Sequence, residues 1–471
     1  MTTEFRLAIG AALGQDRVRG NIRRAMDGLV TKRREAFPDP QERESLRDEG
    51  AAIRAEAVAR LPELLEELER TCTGNGIQVH WAETGADANQ IVLGILRAAG
   101  ANAILKGKSM VSEEMGLNEF LQGQGIEALE TDLGEIIIQL AHEAPSHIIA
   151  PAIHKDRAEV AALFRKHFPD QPPAQQIEEL TALARTVMRE RFRGMTAGLS
   201  GVNFAVAETG TLCLVENEGN GRLCTTLPDV HIAVMGIEKV VARLDQVPTL
   251  LTLLTRSATG QPITTYVNMI SGPRRAGEKD GPTAVHLILL DNGRSRIHAD
   301  PELSATLRCI RCAACMNHCP VYARLGGHAY GTVYPGPIGS ILEPQLQGLA
   351  ERGEMADASS LCGACAEVCP VRIPIPRLLN RLRYEAVSTR AASPTLGHGS
   401  RRLAVQSGIW RLWSWVCAHP RAYRALTRLL GLLRRLQPTR LPPWTDTREA
   451  PRLAPESLHR QARAAGFPDR A

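Results

Sequence analysis

Short apolar runs alternate with amphipathic stretches through the middle of the chain, between residues 76 and 293. Strands are predicted at 77–81, 103–106, 126–129, 147–150, 204–207, 211–215, 232–235 and 285–290. Helices are predicted at 86–99 and 132–141, and Ser112 is predicted to cap a further helix with Glu113 and Glu114 in its first turn. This alternation predicts a parallel or mixed α/β sheet with flanking helices.

The segments on either side of this region predict helices. Residues 51–70 place apolar side chains at the spacing of one helix face, at Ile53, Ala57, Leu61, Leu64, Leu65 and Leu68. We expect this face to pack on the domain that follows. Near the other end, a helix is predicted at 377–387 and a second helical stretch at 409–436, broken near Pro420. Beyond Pro438 an extended tail is predicted.

The C-terminal segment differs from the rest of the chain in charge. The 471 residues carry a net charge of +5, but residues 371–471 contain 19 Arg, no Lys and 5 acidic residues, so the remainder is net acidic. The helical stretch also carries Trp410, Trp413 and Trp415. Such a segment suits an anionic membrane surface, an acidic partner or the acidic body of the same protein, and the sequence leaves these three open.

The strongest chemical signal is a pair of cysteine runs that each end in proline. The first run has the spacing C-x2-C-x2-C-x3-C-P and consists of Cys309, Cys312, Cys315, Cys319 and Pro320. This is the iron–sulfur ligand run of bacterial ferredoxins. The second run keeps the C-x2-C and x3-C-P parts of that pattern and consists of Cys362, Cys365, Cys369 and Pro370.

The two runs together predict the ligands of two iron–sulfur clusters. In two-cluster ferredoxins, three cysteines of one run and the last cysteine of the other hold one cluster. The first cluster is therefore predicted to be held by Cys309, Cys312, Cys315 and Cys369. The second cluster is predicted to be held by Cys319, Cys362 and Cys365.

One ligand position of the second cluster lacks a cysteine, and alignment of the two runs places Ser359 there. Three alternatives follow: a three-iron cluster, a four-iron cluster with one iron open or held by a non-cysteine ligand, or a ligand donated by a partner. Serine oxygen is harder than thiolate and less suited to iron–sulfur ligation. We therefore rank Ser359 below an open or externally held iron.

A structural zinc site is the other interpretation of paired cysteines. Zinc binds four ligands tetrahedrally, so seven cysteines are too many for one zinc site and too few for two. The spacing and the two prolines favour iron–sulfur clusters. Between the runs, residues 326–331 and 335–339 predict loops that either surround the clusters with backbone amides or serve as a plain connector.

Candidate sites outside the cysteine runs give weaker signals. Lys106 and Lys108 follow a strand and precede a helix, where α/β domains bind anions, but a basic turn is the alternative because the spacing is not that of a nucleotide-binding loop. His142, His147 and His154 match no metal motif and are predicted to pack or hydrogen-bond. No fingerprint of a hydride-accepting cofactor is recognised.

The composition, with 44% hydrophobic and 23% charged residues, is typical of a globular protein, and the length of 471 residues predicts about two or three domains. The predicted division is N-terminal helices at 1–75, an α/β domain at 76–298, a mainly helical, ferredoxin-like dicluster domain at 299–390 and an arginine-rich helical tail at 391–471. No signal peptide and no membrane-spanning apolar run is recognised. Unpaired cysteine spacings outside the runs indicate a reducing compartment, so the predicted location is the cytoplasm.

These segments together resemble the lactate utilisation protein B family. The resemblance rests on residues 105–110, 145–148 and 207–211, followed by the two cysteine runs and the arginine-rich end. It implies a sugar-phosphate isomerase or CoA-transferase type of α/β fold, called a LUD domain, and two 4Fe-4S clusters. It also implies an iron–sulfur subunit of a three-protein system that oxidises L-lactate to pyruvate in the bacterial cytoplasm. The implied partners are a cysteine-rich, heterodisulfide-reductase-like protein and a small LUD-domain protein.

Three functional hypotheses are carried forward. The first is an electron-transfer subunit that passes electrons from lactate through the two clusters to a carrier or to the membrane pool. The second is an oxidoreductase that binds a 2-hydroxy acid itself, near Lys106, Lys108 and the turn at 208–210. The third is an iron–sulfur redox sensor, which ranks last because no nucleic-acid-binding module accompanies the basic tail.

Overall fold

The computed structural model describes residues 3–392, 399–440, 445, 449–450, 452 and 454–467. Two compact units are present, Met1–Ala386 and Val387–Ala471. The first unit includes the predicted N-terminal helices, the predicted α/β domain and nearly all of the predicted dicluster domain. The predicted boundaries between those three parts stay predictions.

A parallel sheet forms the centre of the first unit. The strands of this unit are β1 (Gln78–Ala82), β2 (Ala103–Lys106), β3 (Glu127–Glu130), β4 (Ala197–Gly201), β5 (Phe204–Val206), β6 (Thr211–Glu216), β7 (Val230–Gly236), β8 (Val240–Val241), β9 (Tyr266–Ile270) and β10 (Ala284–Leu290). Six of them form a sheet in the order β1-β10-β7-β4-β2-β3, and all five pairings are parallel. The predicted α/β sheet is confirmed.

A second, smaller sheet has the order β8-β5-β6-β9. Strands β5 and β6 form an antiparallel hairpin, β6 pairs antiparallel with β9, and β5 pairs parallel with β8. The hairpin turn contains Gly210 with a φ of +63°, in the left-handed region that favours glycine. The turn predicted at 208–210 is therefore confirmed.

The helices of the first unit fall into three groups along the chain. The N-terminal helices are α1 (Thr3–Leu13), α2 (Asp16–Ala36), α3 (Pro40–Ala59) and α4 (Leu61–Gly74). The α/β region contains α5 (Gly85–Ala98), α6 (Met110–Glu114), α7 (Leu117–Gly123), α8 (Leu133–Ala141), α9 (Arg157–His167), α10 (Ile177–Phe192), α11 (Asn220–Thr226), α12 (Val247–Ala258) and α13 (Arg294–His298). The cysteine-rich region contains α14 (Ala314–Asn317), α15 (Tyr322–Leu325), α16 (Gly336–Gln347), α17 (Leu349–Arg352), α18 (Ala364–Glu367) and α19 (Ile375–Ala392).

Helices cover both faces of the parallel sheet. In β10, Leu287 and Leu289 lie in a core cluster with the apolar face of α4, whereas Ile288 and Leu290 lie in a second cluster with α5. Successive strand residues point to opposite faces, so a strand covered on both sides is apolar at every position. This explains why β10 ends in a continuous apolar run from Leu287 to Leu290.

The N-terminal helices contact both the sheet and the cysteine-rich region. The helix predicted at 51–70 is two helices, because Pro62 lies in the first turn of α4, where a proline is tolerated, and not in the middle of a longer helix. Helix α4 packs on the sheet as expected. Helices α2 and α3 pack instead on α14, α15 and the 3-10 helix Leu303–Arg308, just before the first cysteine run.

Three local predictions were wrong. Helix α6 is capped by Ser109 and not by Ser112, since the Ser109 hydroxyl accepts the Ser112 N–H at 3.3 Å. Residues 147–150 form no strand, because the His147 ring accepts the N–H groups of Ile149 and Ala150 at 3.1 Å and closes a turn. The loop predicted at 335–339 is mostly the first turn of α16.

The second unit contains α20 (Gly399–Ala418), α21 (Pro420–Leu432) and α22 (Leu458–Ala464). The predicted break near Pro420 is confirmed, but α22 lies where an extended tail was predicted. Trp410, Trp413 and Trp415 are 46–65% exposed. No helix within the described ranges is long and apolar enough to cross a membrane.

Candidate metal centre

One cavity brings together thiols from both cysteine runs. It has an empty volume of about 340 Å³ and is lined by Cys309, Cys312, Cys315 and Cys369. Its remaining side-chain walls are mainly apolar and include Ile148, Ile310, Ile338, Val371, Ile373 and Ile375. The structure therefore places the last cysteine of the second run beside the first three cysteines of the first run.

A tight turn gives the first run its shape. Arg311 and Ala313, on either side of Cys312, have φ values of +61° and +60°, a conformation that non-glycine residues seldom adopt. Helix α14 starts immediately afterwards and carries Cys315. Left-handed residues that are not glycine cost free energy and persist at sites where the surroundings demand them.

Backbone N–H groups point at three of the cysteine sulfurs. The N–H groups of Arg311, Tyr322 and Ile373 donate to the Sγ atoms of Cys309, Cys319 and Cys369, each at 3.4 Å. Such donors raise the reduction potential of a bound iron–sulfur cluster by stabilising negative charge on sulfur. Residues 326–331 and 335–339 supply none of these three donors, and the segment between the runs contributes the side chain of Ile338 to the cavity wall.

The remaining three cysteines lie near one another. The pKa of Cys365 is raised to about 11 by burial and by the nearby thiols of Cys319 and Cys362. Cys319 also has a raised pKa, chiefly through burial, and Cys362 contributes. Cys362 itself is exposed. Its pKa is lowered because it accepts hydrogen bonds from the Ala364 N–H and the Ser360 hydroxyl.

The two groups of cysteines are adjacent. Burial raises the pKa of Cys315 strongly, and the neighbouring thiols that raise it further include Cys365 of the other group. Both Cys315 and Cys365 are buried. A group of four thiols in an apolar cavity thus lies next to a group of three that reaches the surface at Cys362.

A buried network of charges lies between the first cysteine run and the α/β region. Arg294 lies 2.7 Å from Glu114 and 2.6 Å from Glu238, and Glu238 lies 3.2 Å from Arg311 in the first run. Tyr334 donates to Glu114 at 2.8 Å. Burial alone would raise the pKa of Glu238, but the guanidinium groups of Arg294 and Arg311 outweigh it and lower the pKa to about 2.

Buried arginines of the N-terminal helices bind carbonyl groups near the cysteines. Arg54 donates to the carbonyls of Leu307 and Arg308 at 3.1 and 3.2 Å. Arg47 donates to the carbonyl of Cys369 at 3.1 Å. These contacts satisfy backbone groups outside regular secondary structure and fix the cysteine-rich region against α3. Nothing in the sequence distinguished these arginines from solvated surface charges.

The lysine cluster predicted as a candidate anion site is internally neutralised. The Lys106 ammonium is fully buried and lies 2.5 Å from Glu130, 3.2 Å from Glu113 and 2.5 Å from Asn118. Burial lowers its pKa, but Glu130 and Glu113 outweigh that effect, so the pKa is raised. Lys108 donates to the Ile149 carbonyl at 2.7 Å. A substrate carboxylate would have to displace Glu130 to reach Lys106.

A large acidic cleft opens beside this lysine. It has an empty volume of about 2520 Å³, and its walls include Asp16, Glu113, Glu119, Glu130, Glu135, Glu143 and Glu159. Burial raises the pKa of Glu135 to about 8. The cationic side chains Arg17 and Lys155 in its walls already pair with Glu159 and Glu143, so the cleft offers few free positive charges to an anion such as a 2-hydroxy acid. The turn at 208–210 does not line this cleft. It packs against the end of α4, where Asn75 donates to the Thr209 carbonyl at 2.8 Å.

Two of the three predicted histidines, His147 and His154, form side-chain hydrogen bonds as expected. His147 lies 2.9 Å from Asn317, and His154 lies 2.8 Å from Ser146. His142 ends α8 in the left-handed region. One grouping was missed: ligand atoms of Glu143, His154 and His328 lie within 4.8 Å of one another. Lys155 also pairs with Glu143, so an ion pair already neutralises this carboxylate.

Comparison with known proteins identifies the family. The LUD domain family matches residues 65–290, the 4Fe-4S dicluster domain matches 305–373, and the family "Lactate utilisation protein B, C-terminal" matches 381–466. A Lactate utilization protein B from Bacillus velezensis is 41% identical over 407 residues, covering 86% of this chain and 84% of that protein. The chain belongs to the lactate utilisation protein B family.

Other relatives of this family member include a Lactate utilization protein B from Macrococcus caseolyticus, 44% identical over 83% of this chain and 82% of that protein. The "Uncharacterized electron transport protein YkgF" of Escherichia coli K12 is 40% identical over 88% of each chain. A crystal structure of a DUF162 family protein from Deinococcus radiodurans covers 49% of this chain and 98% of its own, with 17% identity and a TM-score of 0.28.

The dicluster match favours iron–sulfur clusters over zinc, because it spans both cysteine runs. The structure is consistent with such a cofactor, since four thiols meet in an apolar cavity with N–H groups directed at Cys309 and Cys369. This family member is therefore an iron–sulfur protein. The number and type of its clusters and the seven assigned ligands stay predictions.

Proposed function

We propose that this chain is the iron–sulfur electron-transfer subunit of a multi-protein, cytoplasmic system that oxidises L-lactate to pyruvate. Family membership and the dicluster match support a role in lactate utilisation through an iron–sulfur protein. The proposed partners are a cysteine-rich, heterodisulfide-reductase-like protein and a small LUD-domain protein. The location, partners and substrate are part of the proposal.

The observation that carries the proposal is the adjacency of two thiol groups with different exposure. Cys309, Cys312, Cys315 and Cys369 line a cavity inside the first unit, whereas the neighbouring group ends at the exposed Cys362. A buried site beside a surface site is the arrangement that a relay between partners requires. Nothing comparable is needed in a protein whose metal is only structural.

The residues of this chain would hold and tune the clusters. When bound, iron–sulfur clusters accept and release single electrons. The seven thiolates would hold them, and the apolar wall that includes Ile338 and Ile373 would keep water from the buried sulfurs. The N–H groups of Arg311, Tyr322 and Ile373 would stabilise negative charge on the ligand sulfurs in the reduced state.

Oxidation of L-lactate to pyruvate releases two electrons and two protons. The electrons would pass singly through this subunit. The protons would leave where lactate binds, which we place outside the acidic cleft of this chain. The cleft carries Glu113, Glu130 and Glu135 near Lys106, whose ammonium is already paired.

A substitution at the buried site tests the proposal in the complete system with its partners. Cys312→Ala removes a predicted ligand and should lower lactate-dependent reduction of the acceptor to the level measured without lactate. The control is Cys417→Ala, because Cys417 is exposed and lies outside both runs. It should leave turnover unchanged. Full turnover by Cys312→Ala, in a preparation shown to lack the first cluster, would refute an electron-transfer role.

A second experiment tests the alternative in which this chain is itself the oxidoreductase. Purified chain with reconstituted clusters would be mixed with L-lactate and an artificial electron acceptor. We expect no reduction of the acceptor until the partner proteins are added. Reduction by the isolated chain would show that lactate binds and reacts on this subunit.

A further inference from the structure

The geometry points to Ser359 as the fourth protein ligand of the second cluster, bound through its Oγ atom. This inference rests on the two clusters proposed above. It also reverses the order in which the sequence ranked the candidates, because serine ligation came below an open or externally held iron on donor chemistry alone. The reason for the new order is that the second run repeats the backbone conformation of the first run.

The two runs share one backbone conformation around the second cysteine of the pattern. In the first run, Arg311 and Ala313 flank Cys312 with φ values of +61° and +60°. In the second run, Leu361 and Gly363 flank Cys362 with φ values of +56° and +89°. Leu361 is not a glycine, so its left-handed conformation is unfavourable by itself.

The hydrogen bonds that follow the turn also repeat. The N–H groups of Met316 and Asn317 both donate to the carbonyl of Ala313, at 2.8 and 3.1 Å. Their counterparts Ala366 and Glu367 both donate to the carbonyl of Gly363, at 3.0 and 3.1 Å. Each turn leads directly into a one-turn helix, α14 or α18. The second run is therefore a conformational copy of the first.

Ser359 occupies the position of Cys309 in this copy. In the first run the Arg311 N–H donates to Cys309 Sγ at 3.4 Å. In the second run the N–H of its counterpart Leu361 donates to Ser359 Oγ at 3.1 Å. The same backbone donor thus holds a sulfur in one run and an oxygen in the other, and each side chain points to the same side of its turn.

A side chain from α19 fixes the backbone at this serine. Arg383 donates to the carbonyl of Ser359 at 2.8 Å and to the carbonyl of Ala356 at 2.7 Å. Ser359 is half-buried, whereas its neighbour Ser360 is exposed. A ligand held in place before the metal binds loses less conformational entropy on binding.

Coordination of iron by the Ser359 oxygen requires no oxidant or reductant. The iron–oxygen bond forms as the hydroxyl proton leaves for solvent, and no iron changes its oxidation state. The Leu361 N–H that donates to Ser359 Oγ would stabilise the resulting alkoxide. Because oxygen is a harder donor than thiolate, it favours the oxidised cluster. The second cluster should then have a lower reduction potential than its all-cysteine counterpart.

The test compares three variants of the full-length chain, prepared without oxygen and enriched in ⁵⁷Fe. Ser359→Ala should lose one iron per chain and, after oxidation, show the paramagnetic resonance signal of a three-iron cluster. Reduction with dithionite, followed by ferrous iron and 2-mercaptoethanol, should restore the four-iron spectrum, because dithionite supplies the electron and the small thiol replaces the missing ligand. Ser359→Cys should keep all the iron and raise the reduction potential of the second cluster.

Ser360→Ala is the matched control, because it removes a hydroxyl one position away that bonds to Cys362 and not to the Leu361 N–H. It should keep the iron content and the four-iron cluster of the native chain, while loss of the hydrogen bond to Cys362 shifts only the reduction potential. An unchanged iron content and spectrum in Ser359→Ala would overturn the assignment, and so would loss of the iron in Ser360→Ala alone. Native protein without iron and sulfide would instead refute the proposed clusters themselves.

Discussion

The two cysteine runs fold alike but lie in different surroundings. Around Cys312 the backbone is buried, and the charged network of Arg294, Glu238 and Arg311 lies behind it. Around Cys362 the same turn is at the surface, next to the exposed Ser360. The ligand spacing is thus a local property of the turn, whereas access to solvent and partners depends on where the fold places that turn.

The difference shows how a repeated motif can supply two sites with distinct roles. The first run depends on distant parts of the chain, since Glu238 follows β7 and Arg294 lies on α13. The second run has a partly exposed ion pair instead, in which Arg372 lies 3.0 Å from Glu44. A change in the buried network beside the first run should therefore destabilise the protein far more than a change at Arg372 beside the second run.

The largest expected effect comes from Arg294→Met. It leaves Glu114 buried without its guanidinium partner and leaves Glu238 with Arg311 alone, and breaking a buried pair costs about 3–5 kcal/mol of the free energy of unfolding. Denaturant unfolding followed by circular dichroism measures the change. We also expect loss of the iron bound by the first run, because Glu238, the partner of Arg311, loses the guanidinium that holds it in position.

The matched substitution beside the second run is Arg372→Met. Arg372 and Glu44 are each more than a third exposed, and pairs of this kind contribute about 0–1 kcal/mol. The same unfolding experiment should show a small change. If Arg294→Met and Arg372→Met destabilised the protein equally, the contrast between the two surroundings would be wrong.

A smaller effect is expected in the sensitivity of the two clusters to oxygen. The second cluster should lose its spectroscopic signal first when reduced protein is exposed to air, because Cys362 is exposed while Cys312, Cys315 and Cys369 are buried. Paramagnetic resonance spectra recorded at intervals would follow both clusters, with an anaerobic sample as control. Earlier decay of the first cluster would contradict the assigned order of exposure.

Much of the fold was predictable from the sequence where local signals agreed. The strand at Ala103–Lys106 was predicted with its observed bounds, because three apolar residues followed by a lysine come soon after the end of a predicted helix. Strand β4 (Ala197–Gly201) was missed, since its small residues give no strand signal. The false strand at 147–150 shows the opposite case, in which the His147 ring competes with strand pairing for backbone N–H groups.

The grouping of four cysteines could be predicted from the sequence, but the residues that support the site could not. The spacing of the cysteines led to the grouping of Cys309, Cys312, Cys315 and Cys369, and these four do share a cavity. The roles of Arg54, Arg294 and Glu238 were not visible, because a charged residue that is paired in the core looks like a surface charge in the sequence. The conformation of Leu361, on which the role of Ser359 depends, also required coordinates.

The most direct test of the account asks which cluster Cys369 belongs to. Paramagnetic resonance spectra of reduced Cys369→Ala would be compared with those of Cys312→Ala and Cys365→Ala, all prepared without oxygen. We predict that Cys369→Ala and Cys312→Ala lose or alter the same cluster, although the two residues lie in different runs. If Cys369→Ala instead altered the cluster affected by Cys365→Ala, the exchange of ligands between the runs would be disproved.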